Sequence, residues 1–247
     1  MKVIVVGETC KDRFVYVDTK RLSPEAPVPV LTPIETTENK GMSGNVVENL
    51  RSLGVRLDEI THWHQNQQIT KIRYVDKKSN HMFIRVDEGE SDVEELVLDN
   101  SKINELQKAD AVIVSDYDKG FISDGVIKKI SQIAKFSIID TKRRLGSFLI
   151  SDFDFVKLNE YEYSNLNIDQ NLTNKILITL GNKGAKHNGI LYPSPDPKET
   201  IDVSGAGDTF TSAFTVKYLE TKDIRQSIIF ANEMSAIVVS KRGVATP

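Results

Sequence analysis

Five short runs of apolar, mostly β-branched residues recur along the chain, at Val3 to Val6, Ala111 to Val114, Phe136 to Ile139, Phe153 to Leu158 and Ile176 to Leu180. Segments of helical length separate them. Runs this apolar have no polar face to offer water, so each strand must be covered on both sides, as in a parallel sheet sandwiched between helices. The pattern predicts a doubly wound α/β domain with a mostly parallel sheet. After Gly44, the residues Val46, Val47, Leu50 and Leu53 share one helical face and Gly54 stops the helix. A second helix is predicted to start near Gly207 with Phe210, Ala213 and Phe214 turned inward, and a third to run from about Asp223 to Ser240. With 247 residues, 39% of them hydrophobic, the chain can fill one such core, so residues 1–247 read as a single unit.

Two stretches break this rhythm. From Phe14 to Thr37 the chain alternates and carries Pro24, Pro27, Pro29 and Pro33, which an edge strand tolerates and a central strand does not. From Ile69 to Asp87 it alternates again around a polar turn at Asp76 to Asn80. Together, about 14–37 and 69–87, they predict a small β flap over the carboxyl ends of the parallel strands, where ligands bind in such sheets. If Lys71 opposes Arg85 across the hairpin, then Ile72, Tyr74, Met82, Ile84 and Val86 share an apolar face that the flap of a second copy would cover. The other face gathers Lys71, Arg73 and Arg85 with Asp87 alone to offset them, an arrangement that invites an anion.

Charge excludes whole classes of partner. Thirty-two Lys and Arg against 35 Asp and Glu give a net charge of −3, so there is no global basic field for a nucleic acid or an anionic membrane. Any bound anion must be held locally. The lone Cys10 excludes an intrachain disulfide and a thiolate metal cluster. No apolar run reaches the length of a membrane span, and the Met-Lys start passes directly into a strand, so a cytoplasmic protein is expected. His62 and His64 lie at i, i+2 with no third ligand near in sequence, Cys10 reads as packing, and Lys77-Lys78 and the acidic stretch from Asp87 to Glu95 read as solvated.

The most informative segment is Asp202-Val203-Ser204-Gly205-Ala206-Gly207-Asp208-Thr209, a strand end, a glycine turn and a helix start. Glycines let the backbone approach a ligand, and the first N–H groups of a helix point outward with the positive end of its dipole behind them. Asp208 sits where that dipole favours the ionised form, available to accept a proton, or it is simply an acid at a helix start. A dinucleotide fingerprint fails, because the third glycine is replaced by Phe210, and no GxxxxGK[ST] loop occurs.

This segment resembles the D-T-x-G-A-G-D motif of the ribokinase-like (PfkB) carbohydrate kinases, with Val203 in place of Thr. The resemblance implies that Asp208 is the catalytic base and that Gly205, Ala206 and Gly207 form an anion hole for the transferring phosphoryl group. Other segments resemble family landmarks in the same order. Gly41-Met42-Ser43-Gly44-Asn45 is similar to the sugar-binding G-G-x-x-N element, although Asn45 with Glu48 also reads as a helix cap. Asn159-Glu160-Tyr161-Glu162 is similar to the N-x-x-E motif, implying that Glu162 orients Mg²⁺ through water and Asn159 the phosphates. Thr179, Gly181 and Gly184 match the turn beside the nucleotide phosphates, Asn232 the helix beside adenine, and Asp12 the acid that binds acceptor hydroxyls. ATP and Mg²⁺ are thereby implied, with activation by K⁺ left open.

Within the family, Arg21 to Val30, Gly7 to Phe14, Thr70 to Tyr74, Arg85-Val86-Asp87 and Ser115-Asp116-Tyr117 with Lys119-Gly120 resemble the heptose 7-phosphate kinases, the kinase half of the ADP-heptose synthesis protein. That implies phosphorylation of the anomeric hydroxyl to a 1,7-bisphosphate, with Lys71, Arg73 and Arg85 clamping the existing phosphate. Two alternatives stay open: another sugar or sugar phosphate, or a catalytically silent sugar-phosphate or nucleotide binder. Where the family has a further helix and strand, only a short polar link joins Trp63 to Ile69. The chain stops at Pro247, so a kinase without a nucleotidyltransferase half is expected.

Overall fold

A computed structural model describes residues 1–143, 147–166, 169–195, 204–241 and 245–247. Its strands are β1 (Val3–Gly7), β2 (Thr9–Leu22), β3 (Pro29–Met42), β4 (Ile60–Trp63), β5 (Ile69–Asp76), β6 (Met82–Glu88), β7 (Ala111–Asp116), β8 (Ser137–Thr141), β9 (Phe155–Asn159), β10 (Ile176–Thr179), β11 (Ala185–His187) and β12 (Ile190–Tyr192). Its helices are α1 (Ser43–Ser52), α2 (Asn100–Lys108), α3 (Asp124–Ile133), α4 (Ser147–Asp152), α5 (Glu160–Ser164), α6 (Ala206–Thr221) and α7 (Ile224–Val239).

The apolar runs become the centre of an eight-stranded sheet of order β12-β11-β10-β9-β8-β7-β1-β4. From β4 to β10 neighbouring strands are parallel, and β11 and β12 add an antiparallel end. Alternation splits each strand between two cores: Val3, Val5 and Ile113 pack with α1, α6 and α7, whereas Ile4, Val6 and Val114 pack with α2 and α3. The three expected helices all form. Phe210, Ala213 and Phe214 are buried in α6, and Asp223 caps α7 by accepting from the Gln226 N–H at 3.0 Å.

The flap is larger than its alternation suggests. It is a four-stranded sheet of order β3-β2-β5-β6 in which β2 starts at Thr9, directly after β1, and β3 runs into α1 at Met42. Pro29 and Pro33 lie on β3, an edge strand that can spare their missing N–H groups. The hairpin register differs by two residues from the one expected: Lys71 faces Asp87, and Arg73 faces Arg85. A slip of two preserves the faces, so Ile72 and Tyr74 still lie with Ile84 and Val86. An irregularity between Tyr74 and Val75 then shifts the register by one before the turn, so that Met82, expected on the apolar face, lies opposite Val75 on the other one.

The short link after β4 is real. Residues 64–68 lead from the sheet edge straight into β5, pinned by Gln65, whose Nε2 donates to the Thr9 carbonyl (2.7 Å) and whose Oε1 accepts from the Thr9 N–H (3.0 Å).

Candidate active site

Gly205 has φ of +80°, a conformation glycine adopts freely, and it turns the chain into α6. The N–H groups of Ala206, Gly207 and Asp208 have no carbonyl one turn earlier in the helix to bond. These residues line a cavity of about 420 Å³. Asp202 and Val203 lie outside the described residues.

Asp208 is buried at the wall of that cavity. Its Oδ2 accepts from Asn45 Nδ2 at 2.8 Å, and its Oδ1 accepts from the Tyr117 hydroxyl at 3.3 Å. The helix dipole was expected to favour the ionised form, but burial outweighs it and raises the carboxyl from 3.8 to about 6, against the pull of the Asn45 bond. Burial, joined by the Asp208 and Asp140 carboxylates, pushes the Tyr117 phenol well above its ordinary value, so Tyr117 remains a donor.

Asn45 does not cap a helix. α1 begins two residues earlier, at Ser43, because β3 delivers the chain directly into it, and Asn45 is buried on its inner face. Asn49 Nδ2 donates to the Asn45 carbonyl (2.8 Å) and Oδ1 (3.2 Å), while Thr209 Oγ1 donates to Asn49 Oδ1 (2.8 Å). This polar chain orients the Asn45 amide toward Asp208. Glu48, the other half of the expected cap, instead pairs with Lys40 and Arg51.

Two buried groups escaped sequence reasoning. Lys157, in the middle of β9, donates to Asp140 Oδ2 at 2.8 Å, and both line the cavity. Asp140 Oδ1 is buried with no hydrogen-bond partner among the described residues, 3.9 Å from Lys142 Nζ. A Cβ at Gly207 would lie 2.7 Å from Lys157 Nζ. Gly207→Val should therefore displace Lys157 from the glycine turn and lower turnover by ~10-fold or more while costing about 1–3 kcal/mol of stability. Steady-state rates and thermal melts check this together; unchanged turnover would remove the turn from the reaction.

Glu8 is the second. Fully buried at the end of β1, its carboxylate accepts from the N–H groups of Tyr117 (2.9 Å), Lys119 (3.2 Å) and Phe121 (3.2 Å). It thus fixes the turn that aims Tyr117 at Asp208. The signal available in the sequence was an ionisable residue inside or directly after a buried strand, which is expensive unless it is paired.

The residues expected for the nucleotide gather in the same cavity: Asn159, Thr179, Gly181, Gly184 and Asn232 all line it with Asp208. Asn232 Nδ2 donates to the Tyr192 carbonyl at 2.9 Å. Asn159 and Glu162 form a capping box at the start of α5, Asn159 Oδ1 accepting from the Glu162 N–H (2.7 Å) and Glu162 Oε2 from the Asn159 N–H (2.8 Å). Glu162 Oε1 accepts from Lys142 Nζ at 2.7 Å.

Apart from Asn45 on α1, the residues expected to bind the acceptor lie on the lid, and its cations, expected to lack counter-charge, have it. Asp12, on β2 next to β5, ion-pairs with Arg73, whose guanidinium lies 5.1 Å from the Phe14 ring centre. Arg85 pairs with Asp87 at 2.8 Å. Lys71 and Lys119 approach Glu90, so the acidic stretch after β6 is not simply solvated. Gly41 packs on Cys10 and Asp12. Cys10 is buried, its thiol pushed up to about 11 by that burial. Lys77 pairs with Glu35 over the Tyr16 ring. His62 Nε2 lies 2.8 Å from Ser43 Oγ, and burial drives the ring down to about 3, which keeps it neutral. Among the described residues no group of three or more His, Cys, Asp or Glu is placed to hold a metal ion, and no described helix is long and apolar enough to cross a membrane.

The family description "pfkB family carbohydrate kinase" matches residues 42–247. The chain is 30% identical over 296 aligned positions to the bifunctional protein HldE of Helicobacter pylori and 28% identical over 298 to that of Helicobacter acinonychis. Each alignment covers 99% of this chain and 64% of the relative, so the chain spans less than two thirds of their length. An alignment longer than the chain's 247 residues means that these relatives carry segments it lacks. Among solved structures, Arabidopsis thaliana ribokinase complexed with ribose and ATP superposes with a TM-score of 0.72 at 17% identity, covering 98% of this chain and 93% of that one. Phosphofructokinase-2 from Escherichia coli in complex with potassium superposes with a TM-score of 0.74 at 15% identity, covering 98% and 94%. The fold is ribokinase-like.

Proposed function

Because the chain belongs to the pfkB family of carbohydrate kinases, and is thus a phosphotransferase acting on an alcohol group, we propose that it phosphorylates a sugar phosphate, with the anomeric hydroxyl of a heptose 7-phosphate as the favoured acceptor. The observation that carries this reading is the placement of Asp208: a buried carboxylate beside three free helix N–H groups, in one cavity with the residues expected to bind nucleotide. The similarity to the bifunctional HldE proteins over nearly the whole chain supports the choice of acceptor.

In this mechanism Asp208 takes the proton from the acceptor hydroxyl as its oxygen bonds to the γ-phosphorus of ATP and the bond to the ADP oxygen breaks. Asn45 and Tyr117 hold the carboxylate in place. The N–H groups of Ala206, Gly207 and Asp208, at the turn of Gly205, Ala206 and Gly207 expected as the anion hole, with Lys157 beside them, stabilise charge on the transferring phosphoryl group. Asn159, Thr179, Gly181, Gly184 and Asn232 bind the nucleotide. Glu162 is the expected ligand of Mg²⁺ through water, its carboxylate already accepting from the Asn159 N–H and from Lys142 Nζ, and the buried Asp140 Oδ1 would be a second oxygen for the ion's hydration shell. Bound there, the ion would neutralise phosphate charge.

The enzyme is proposed to act in the cytoplasm as a homodimer through the lid. Ile84 is about half exposed on a face shared with Ile72, Tyr74 and Val86, more apolar surface than a four-stranded lid needs to leave in water. Sedimentation equilibrium should give a dimer at micromolar concentration and a monomer for Ile84→Glu. A monomeric wild type contradicts the interface.

The function itself is tested by ADP release with MgATP against heptose 7-phosphate, other sugar phosphates and free sugars, with and without K⁺. Phosphorylated acceptors should dominate. A preference for a free sugar would move the enzyme elsewhere in the family, and binding without turnover would make it the silent binder.

A further inference from the structure

Lys71 differs from the other lid cations. The carboxylate facing it in register, Asp87, is taken by Arg85. Lys71 Nζ lies 3.8 Å from Glu90 Oε1 and 5.7 Å from the centre of the Tyr117 ring, whose hydroxyl donates to Asp208. From the body of the protein, Lys119 reaches the same carboxylate, with Nζ 2.6 Å from Oε2. Lys71, on the lid, and Lys119, in the turn after β7, thus converge on one anion, a single side chain away from the base.

Glu90 is an imperfect occupant. Its Oε1 is buried and makes no hydrogen bond among the described residues, so Lys71 is served by charge alone. Two ammonium groups around one carboxylate leave a net positive charge, which a phosphate dianion with three acceptor oxygens would match better. Glu90 also sits on chain that can yield. It follows Gly89 at the exit of β6, in a stretch without helix or strand up to α2, and its side chain is one-quarter exposed. Swinging it outward breaks no ladder.

We infer that Lys71 and Lys119 form the seat for the acceptor's own phosphate group, and that Glu90 fills this seat in the unliganded enzyme until a phosphate monoester displaces it. The inference rests on the proposed use of a phosphorylated acceptor and moves the phosphate contact from Arg73 and Arg85, which Asp12 and Asp87 already neutralise, to Lys71 and Lys119. Glu90 then acts as a filter: an acceptor without a phosphate cannot displace it and finds the seat occupied.

The test uses inorganic phosphate as probe, titrated calorimetrically into the full chain without nucleotide. Glu90→Gln keeps the size of the side chain and removes its charge, and it should bind phosphate ~10-fold more tightly than wild type. Adding Lys119→Gln to that variant should abolish the gain. In turnover assays Glu90→Gln should lower KM for a phosphorylated acceptor by a similar factor and leave KM for ATP unchanged. Phosphate affinity in Glu90→Gln no higher than in wild type, or a gain that persists without Lys119, would overturn the seat whatever the kinase assay shows. A gain that depends on Lys119 in a protein that phosphorylates no sugar phosphate would uphold the seat and remove the proposed acceptor.

Discussion

Asp208→Asn should fold, bind ATP and lose turnover by ~10²-fold or more, because it removes the base without removing volume. The same variant should be more stable than wild type at neutral pH. A carboxyl whose folded value is raised from 3.8 to about 6 contributes stability that is complete below about pH 4 and is lost as pH rises through about 6. Ionised Asp208 therefore costs the fold about 3 kcal/mol at neutral pH. Asn removes the charge and can still accept from Asn45 while its amide donates to the Tyr117 oxygen, so a higher Tm should accompany the lost activity. A variant that turns over like wild type would show that Asp208 is not the base. One that is destabilised would show that the carboxylate is a structural element.

The second large effect is expected at Lys157. Its ammonium and the Asp140 carboxylate are both almost completely buried and 2.8 Å apart. Removing one partner leaves the other charge uncompensated in the interior, so Lys157→Met should cost ~3–5 kcal/mol. Combining it with Asp140→Leu should restore much of that stability, since an apolar pair of similar volume avoids the desolvation of both ions. Turnover should stay low in the double variant, because the cation beside the glycine turn is missing. Denaturant melts of the two single variants and the double variant measure the coupling. A single variant as stable as wild type would refute the buried pair, and a double variant with normal turnover would remove both residues from phosphoryl transfer.

Much of the fold was legible because its strands are buried on both faces, and residues such as Val3 to Val6 and Ala111 to Val114 leave little else for the chain to do. The lid was legible in kind and not in extent. Its first hairpin begins at Thr9 and ends at Met42, bounds that the alternating pattern does not mark and that the antiparallel pairing of β2 with β3 sets. The hairpin register was missed for a related reason: slips of two leave the faces unchanged, so hydrophobic pattern cannot distinguish them. In the site, the glycine turn and Asp208 carry local signatures. Asn45 misled because N-x-x-E is a cap wherever a helix starts at the Asn, and here β3 feeds the helix two residues earlier. Lys157, Asp140 and Glu8 carry no motif of their own. Each is a charge at the end of, or inside, an apolar strand, and its role depends on partners 17 or more than 100 residues away.

The pH dependence of kcat/KM for the acceptor, measured with saturating MgATP, tests the central claim most directly. Asp208 acts as a base only when ionised, and burial holds its carboxyl at about 6. The account predicts that the rate rises tenfold per pH unit below about 6 and levels off above it, with the limb absent from the residual activity of Asp208→Asn. A profile that is flat between pH 5 and 8, or the same limb in Asp208→Asn, would contradict it.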